Sequence, residues 1–248
     1  MQNINQWTPS KFRHVGGRWR ASPDAAEVGV SSRLMADIIA GVYGEKLPLH
    51  ARGALLDLGC GKVPFYGAYK DLVASATCVD WENTLHKNPY LDRTCDLTQP
   101  LPFASASYDT VLLSDVLEHI PNPELLCAEI ARLLAPDGKL IMNVPFYYWL
   151  HEEPHDYGRY TEFALRRFMG TAGLQVVELF PVGGAPEVVA DILSKCLTRL
   201  PRGGQALARA VNIIAGGFLK TRFGRKASAA TARQFPFGYF MVAQKQPG

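Results

Sequence analysis

The chain has 248 residues, enough for one large domain or two small ones, and its 48% hydrophobic and 20% charged residues are the composition of a packed globular protein. This excludes disordered and collagen-like classes, while five cysteines without a C-x-x-C pair point to neither a disulfide framework nor a zinc ribbon. A net charge of +3 does not imply nucleic acid, and the opening MQNINQWTPSKFRHVGGRWR lacks a signal-peptide core; no run approaches the roughly eighteen apolar residues of a bilayer span, so a cytoplasmic protein is expected.

After a polar lead-in, Leu34, Met35, Ile38, Ile39 and Val42 recur at helical spacing behind Ser31 and Ser32, so residues 1–52 are expected to form an N-terminal helical cap. ALLDLG (54–59) is a short apolar run stopped by glycine, and Pro64 opens a segment in which Phe65, Tyr69, Leu72 and Val73 repeat helically. The alternation continues through strands at 76–80, near 94–97, at 108–114 and at 139–146, with a helix over 124–134. Such a βαβ series predicts a parallel sheet covered on both faces, with ligands outside the carboxyl ends of its strands.

Two more strands are expected at 173–182 and 237–245, separated by roughly fifty residues, far more than a loop normally spans. An inserted helical subdomain (183–234) accounts for the gap, leaving 235–248 as the last strand and tail. Val188, Val189, Ile192, Leu193, Cys196, Leu197 and Leu200 form one stripe, and Leu207, Val211, Ile214 and Phe218 suggest a second helix. Residues 185–233 carry nine Lys/Arg against Glu187 and Asp191, a net +7. Three readings stay open for this basic segment: a lid over an acceptor pocket, a surface touching anionic lipid or a lipid-linked glycan at the inner face of a membrane, or a solvated decoration.

The strongest local signal is LLDLGCGKVP, with Asp57, Gly59 and Gly61 at a strand-to-helix turn that lets backbone approach a ligand. A phosphate loop is disfavoured because Gly61-Lys62 is followed by Val63 instead of Ser or Thr. A dinucleotide fingerprint is disfavoured because Pro64 stands where helix and strand must pack closely, and Asp57 would lie near a pyrophosphate. A nucleoside without phosphates but with a positive centre suits the carboxylate, and S-adenosylmethionine is such a ligand. Asp80 closes the next strand and can accept ribose hydroxyls; Asp96 follows the third.

In order, LLDLGCG (55–61), CVDWEN (78–83), CDLTQPLPF (95–103), YDTVLLSDVLEHI (108–120) and LLAPDGKLIMNVPF (133–146) give a chain that resembles the class I S-adenosylmethionine-dependent methyltransferases, particularly their small-molecule branch, across roughly residues 53–182. The resemblance implies a Rossmann-like, doubly wound, mostly parallel seven-stranded α/β sheet ending in an antiparallel strand. It also implies that Asp57, Gly59, Cys60 and Gly61 surround the methionine portion of the cofactor, Asp80 with Trp81 holds the ribose, Asp96 and Leu97 hold the adenine, and Ser114 borders the transfer site. The third glycine of the family's acidic-x-Gly-x-Gly-x-Gly pattern is Val63 here.

HEEPH (151–155) matches the H-E-x-x-H zinc motif, but Pro154 sits inside the helix that the motif needs, so no metal is expected. FYYWLHEEPHDYGRYT (146–161) reads instead as an active-site loop gripping a polar acceptor. Methyl transfer from a sulfonium is an in-line displacement in which the protein mainly aligns the reactants, and a base is needed only for a protonated nucleophile. His119 and His155 are the candidate bases, with Asp156 as orienter. The expected activity is O- or N-methylation of a small-molecule, glycan or lipid-linked acceptor. A catalytically inactive S-adenosylmethionine-binding module and an NAD-dependent oxidoreductase are the alternatives.

Overall fold

The computed structural model describes residues 1–82 and 88–247; Asn83, at the end of the CVDWEN motif, and Gly248, at the end of the tail, lie outside the described residues. The chain opens on a hairpin, β1 (Phe12–Val15) and β2 (Arg18–Ala21), before helix α1 (Arg33–His50). The N-terminal region is therefore not wholly helical as expected. Gly16 and Gly17, at φ 58° and 75°, supply the two positive values of a two-residue hairpin turn. Phe12 stacks on Phe65 at 4.6 Å between ring centroids, tying the hairpin to the body of the protein. Ser32 sits at the N-cap of α1 without a side-chain cap bond.

There follow β3 (Ala54–Leu58), α2 (Tyr66–Tyr69), β4 (Ser75–Asp80), β5 (Arg93–Thr94), β6 (Tyr108–Ser114), α3 (Pro123–Leu133), β7 (Leu134–Pro145), α4 (Glu162–Thr171) and β8 (Leu174–Val182). The last strand is β9 (Gly238–Lys245). The main sheet runs β5-β4-β3-β6-β7-β9-β8, parallel except for β9, which is antiparallel to both neighbours. This is the mostly parallel seven-stranded sheet expected. Two elements are shorter than the sequence suggested: the helix behind Pro64 is a single turn, and the strand near 94–97 is two residues at the sheet edge.

The period of two along each strand divides the core. Leu56 and Leu58 face α3 and α4, where they join Leu126, Ile130, Leu133, Leu165 and Met169. Leu55 faces the opposite layer with Ile39, Tyr43, Leu47 and Tyr69. Asp57 has the parity of Leu55, which aims its carboxylate into that second layer.

Between β8 and β9 lie three helices, one more than the apolar stripes indicated: α5 (Ala185–Thr198), α6 (Gly204–Lys220) and α7 (Arg222–Thr231). Polar contacts fasten α7 to α5. Ser228 Oγ donates to Glu187 Oε1 at 2.6 Å, and the Ala185 amide donates to Thr231 Oγ1 at 2.9 Å. Val188 of the α5 stripe is buried, but Val189, Ile192 and Leu193 are 62%, 50% and 45% exposed, and Ile214 of α6 is 71% exposed. Among the described residues, no helix is long and apolar enough to cross a membrane.

Candidate active site

Sheet order reverses at β3, between β4 and β6, and a crevice of about 670 Å³ opens beyond the strand ends there. Gly59 and Gly61, after β3, line it at φ 67° and 49°. The Gly59 and Cys60 amides both donate to the Val79 carbonyl, at 2.9 and 3.1 Å, which folds the turn onto β4. A Cβ on Gly59 would stand 2.6 Å from Val116 Cγ2, so only glycine keeps this wall open. Val63 takes φ 51°, the left-handed backbone for which the third glycine of the pattern would serve. It is fully buried, and its carbonyl accepts from Trp7 Nε1 at 3.3 Å.

Asp80 lines the crevice at the end of β4. Its Oδ2 accepts from the Gly61 amide at 3.1 Å and its Oδ1 from the Trp81 amide at 2.9 Å. The carboxylate is thus fixed by backbone donors. Trp81, Asp96 and Leu97 continue the wall. Asp96 Oδ1 takes the Thr98 amide and hydroxyl at 2.9 and 2.8 Å.

Three of the expected cofactor residues are not in that wall. Cys60 turns into the core. Asp57 is buried and accepts from the Tyr69 hydroxyl at 3.1 Å; burial, with the nearby Asp80 charge, raises its carboxyl to about 7 despite that bond. Ser114 donates to Asn143 Oδ1 at 2.8 Å, the same oxygen that receives the Tyr43 hydroxyl at 2.6 Å, and Asn143 Nδ2 donates to Asp115 Oδ1. Sequence reasoning did not find Tyr43, Asn143 or Asp115. Asp115 lines the crevice. Asn143 leaves a signal, as a polar residue within an apolar strand, and it is buried.

The far wall is made by His119 and the loop after β7. HEEPH forms no helix: Glu152 has φ 53°, and the two histidines diverge. His155 lies edge-on to Trp81 at 5.0 Å, its Nδ1 3.2 Å from the Tyr157 hydroxyl. His151 packs edge-to-face on His119 at 4.7 Å. The pairing expected of Asp156 is corrected: it holds Arg159, at 2.5 and 2.8 Å, and the His151 amide at 2.9 Å. Burial pushes the Asp156 carboxyl up, but these donors prevail and hold it at about 2. His119 Nδ1 stands 2.7 Å from the His155 carbonyl. Behind it Glu118 is wholly buried, a carboxylate that the sequence reading passed over.

Comparison with known proteins agrees with this architecture. Residues 56–142 match the methyltransferase-domain family. The chain is similar to the demethylmenaquinone methyltransferase of Renibacterium salmoninarum, 27% identical over 135 residues, covering 53% of this chain and 55% of that protein. It is also similar to the ubiquinone biosynthesis O-methyltransferase of Xanthomonas oryzae pv. oryzae, 26% identical over 151 residues, covering 57% and 62%. The chain thus spans less than two thirds of the length of these relatives. A solved geranyl diphosphate methyltransferase in complex with SAM shares the fold, with a TM-score of 0.55 at 14% identity over 90% of this chain and 93% of that one.

Proposed function

From the premise that this chain belongs to the class I S-adenosylmethionine-dependent methyltransferase family, we propose that it transfers a methyl group from S-adenosylmethionine to a small-molecule acceptor. The observation that carries this reading is the crevice at the sheet reversal, where a glycine turn is latched to Asp80. Its volume suits a nucleoside with an amino-acid arm, and the missing Cβ at Gly59 is the close approach such a ligand needs. Asp80 would hold the ribose, Leu97 the adenine face, and the buried Asp57 would ionise beneath the turn when the ligand's ammonium group binds.

When bound, the cofactor supplies a methyl group already activated on a sulfonium. The chain's residues then have to orient the acceptor and keep water out. Of the two histidines, His155 is the better base for an acceptor hydroxyl. It borders the crevice beside Trp81, whereas His119 has Nδ1 against the His155 carbonyl and Nε2 beside the buried Glu118. The names of the relatives favour an acceptor of quinone biosynthesis, and the O-methyltransferase among them makes one with a free hydroxyl the first to try.

The exposed apolar residues of the insertion, among them Ile213 at 68%, Ile214 at 71% and Phe223 at 74%, together with its basic side chains, support contact with anionic lipid. Co-sedimentation with anionic and neutral vesicles tests that contact, and equal, negligible pelleting removes it.

Calorimetric titration with S-adenosylhomocysteine and with NAD tests the cofactor, and turnover over a panel of phenolic and quinol acceptors tests the reaction. The expected result is binding of S-adenosylhomocysteine alone and turnover that falls in His155→Ala with cofactor affinity preserved. Binding of NAD instead, or of neither, overturns the reading.

A further inference from the structure

At the far wall of the crevice, three side chains from two distant segments meet. Glu118 is fully buried, and neither of its carboxylate oxygens has a hydrogen-bond partner in the structure. An unpartnered buried carboxylate is costly. Its Oε1 lies 3.7 Å from His119 Nε2 and 3.8 Å from His151 Nε2.

The remote nitrogens of both rings fix which atom carries the proton. His119 Nδ1 lies 2.7 Å from the His155 carbonyl, which can only accept, so Nδ1 donates. His151 Nδ1 lies 3.2 Å from Asp156 Oδ2 and 3.3 Å from the Trp149 carbonyl, again acceptors only, and Asp156 is itself held by Arg159. Each neutral imidazole therefore turns an Nε2 lone pair toward Glu118 Oε1. Two imidazoles whose outer N–H groups are anchored on backbone carbonyls, the second also close to the Asp156 carboxylate, with inner nitrogens converging on Glu118, form the arrangement that orients metal ligands.

We propose that Glu118, His119 and His151 bind a divalent transition cation. All three ligand atoms lie within 4.8 Å of one another. Ligands about 2.0–2.2 Å from a tetrahedral ion stand ~3.4 Å apart, so the two Glu118 contacts, at 3.7 and 3.8 Å, have a few tenths of an ångström to close, and the two imidazole nitrogens draw together by at most ~1.4 Å. Two imidazoles and one carboxylate suit zinc, cobalt or manganese better than magnesium or calcium, which favour all-oxygen shells. Glu152 Oε2, 3.9 Å from His119 Nε2, stands at the crevice mouth as a fourth donor or the side on which an exogenous oxygen enters. The site is thus built from His151, one half of the motif that Pro154 disqualifies, and from a histidine thirty-two residues upstream. The assignment of cation ligands stands independently of the methyl-transfer reading.

Cobalt(II) chloride is the probe, titrated into the full chain carrying Cys196→Ser, which removes the exposed thiol as a competing ligand. Visible d–d absorption saturating at one cobalt per chain is expected, displaced by zinc and lost in both Glu118→Gln and His151→Ala. His151 is on a surface loop, so its variant keeps the test decisive if Glu118→Gln fails to fold. No saturable cobalt spectrum, or one that survives His151→Ala in folded protein, overturns the proposal.

Discussion

Asp57 ties the site to stability through pH. Its carboxyl is raised from 3.8 to about 7, chiefly by burial. Below pH 3.8 it is protonated whether the chain is folded or not. As pH rises from there, the unfolded chain gains by ionising while the folded chain holds its proton, so the margin for folding shrinks up to about pH 7 and then levels off. At 1.36 kcal/mol per pH unit the full span is ~4 kcal/mol, of which ~3 falls between pH 5 and pH 8. Asp57→Asn keeps an oxygen to accept from Tyr69 but cannot ionise. Any fixed cost of burying the amide is independent of pH and drops out of the comparison. Urea unfolding of both proteins at several pH values should show the variant gaining on the wild type by ~3 kcal/mol from pH 5 to pH 8. S-adenosylhomocysteine brings an ammonium group that favours the ionised carboxylate. Its affinity for the wild type should therefore rise by up to ~tenfold per pH unit below 7, a rise absent in the variant. A stability difference flat with pH would refute the assignment of a neutral buried acid beneath the turn.

Gly59→Ala forces a side chain onto φ 67° and within 2.6 Å of Val116. It should destabilise by ~1–2 kcal/mol and abolish S-adenosylhomocysteine binding by calorimetry; wild-type affinity would show that this glycine does not shape the pocket. Lys195 pairs with Asp191, both nearly inaccessible, and lies 3.9 Å over the Tyr148 ring, which pins α5 to the loop walling the crevice. Burial lowers the Lys195 ammonium and raises the Asp191 carboxyl. Lys195→Met should cost ~3–5 kcal/mol in urea, because the Asp191 charge is left buried, and adding Asp191→Leu should restore most of it. A single-variant loss below ~1 kcal/mol would mean that the pair is hydrated.

The sheet was legible because its strands are apolar runs ended by glycine or aspartate, and the crevice followed because Gly59, Gly61 and Asp80 stand at those ends. The hairpin went unread although Gly16-Gly17 announces a two-residue turn. Its strands are largely solvent-facing, so they lack the apolar alternation by which strands are recognised. Helix α7 escaped for a related reason: RFGRKASAAT has one large apolar side chain, and it is held by Ser228 and Thr231 through polar contacts with α5. Asp57 was read by residue type, as an acid at a ligand turn. Strand parity was equally available, and it sends this side chain beneath the turn, away from the crevice wall.

The Glu118 cluster belongs to neither category. Strands β6 and β7 are parallel neighbours, so the segments leaving their carboxyl ends must pass close to one another. Topology therefore brings 117–119 and 151–157 into the same region. It does not decide which histidine turns inward. That choice is made by the outer nitrogens: the His155 carbonyl fixes one ring, and Asp156 with the Trp149 carbonyl fixes the other. A motif spaced for one helix face is thereby divided, with His151 given to the buried carboxylate and His155 to the crevice.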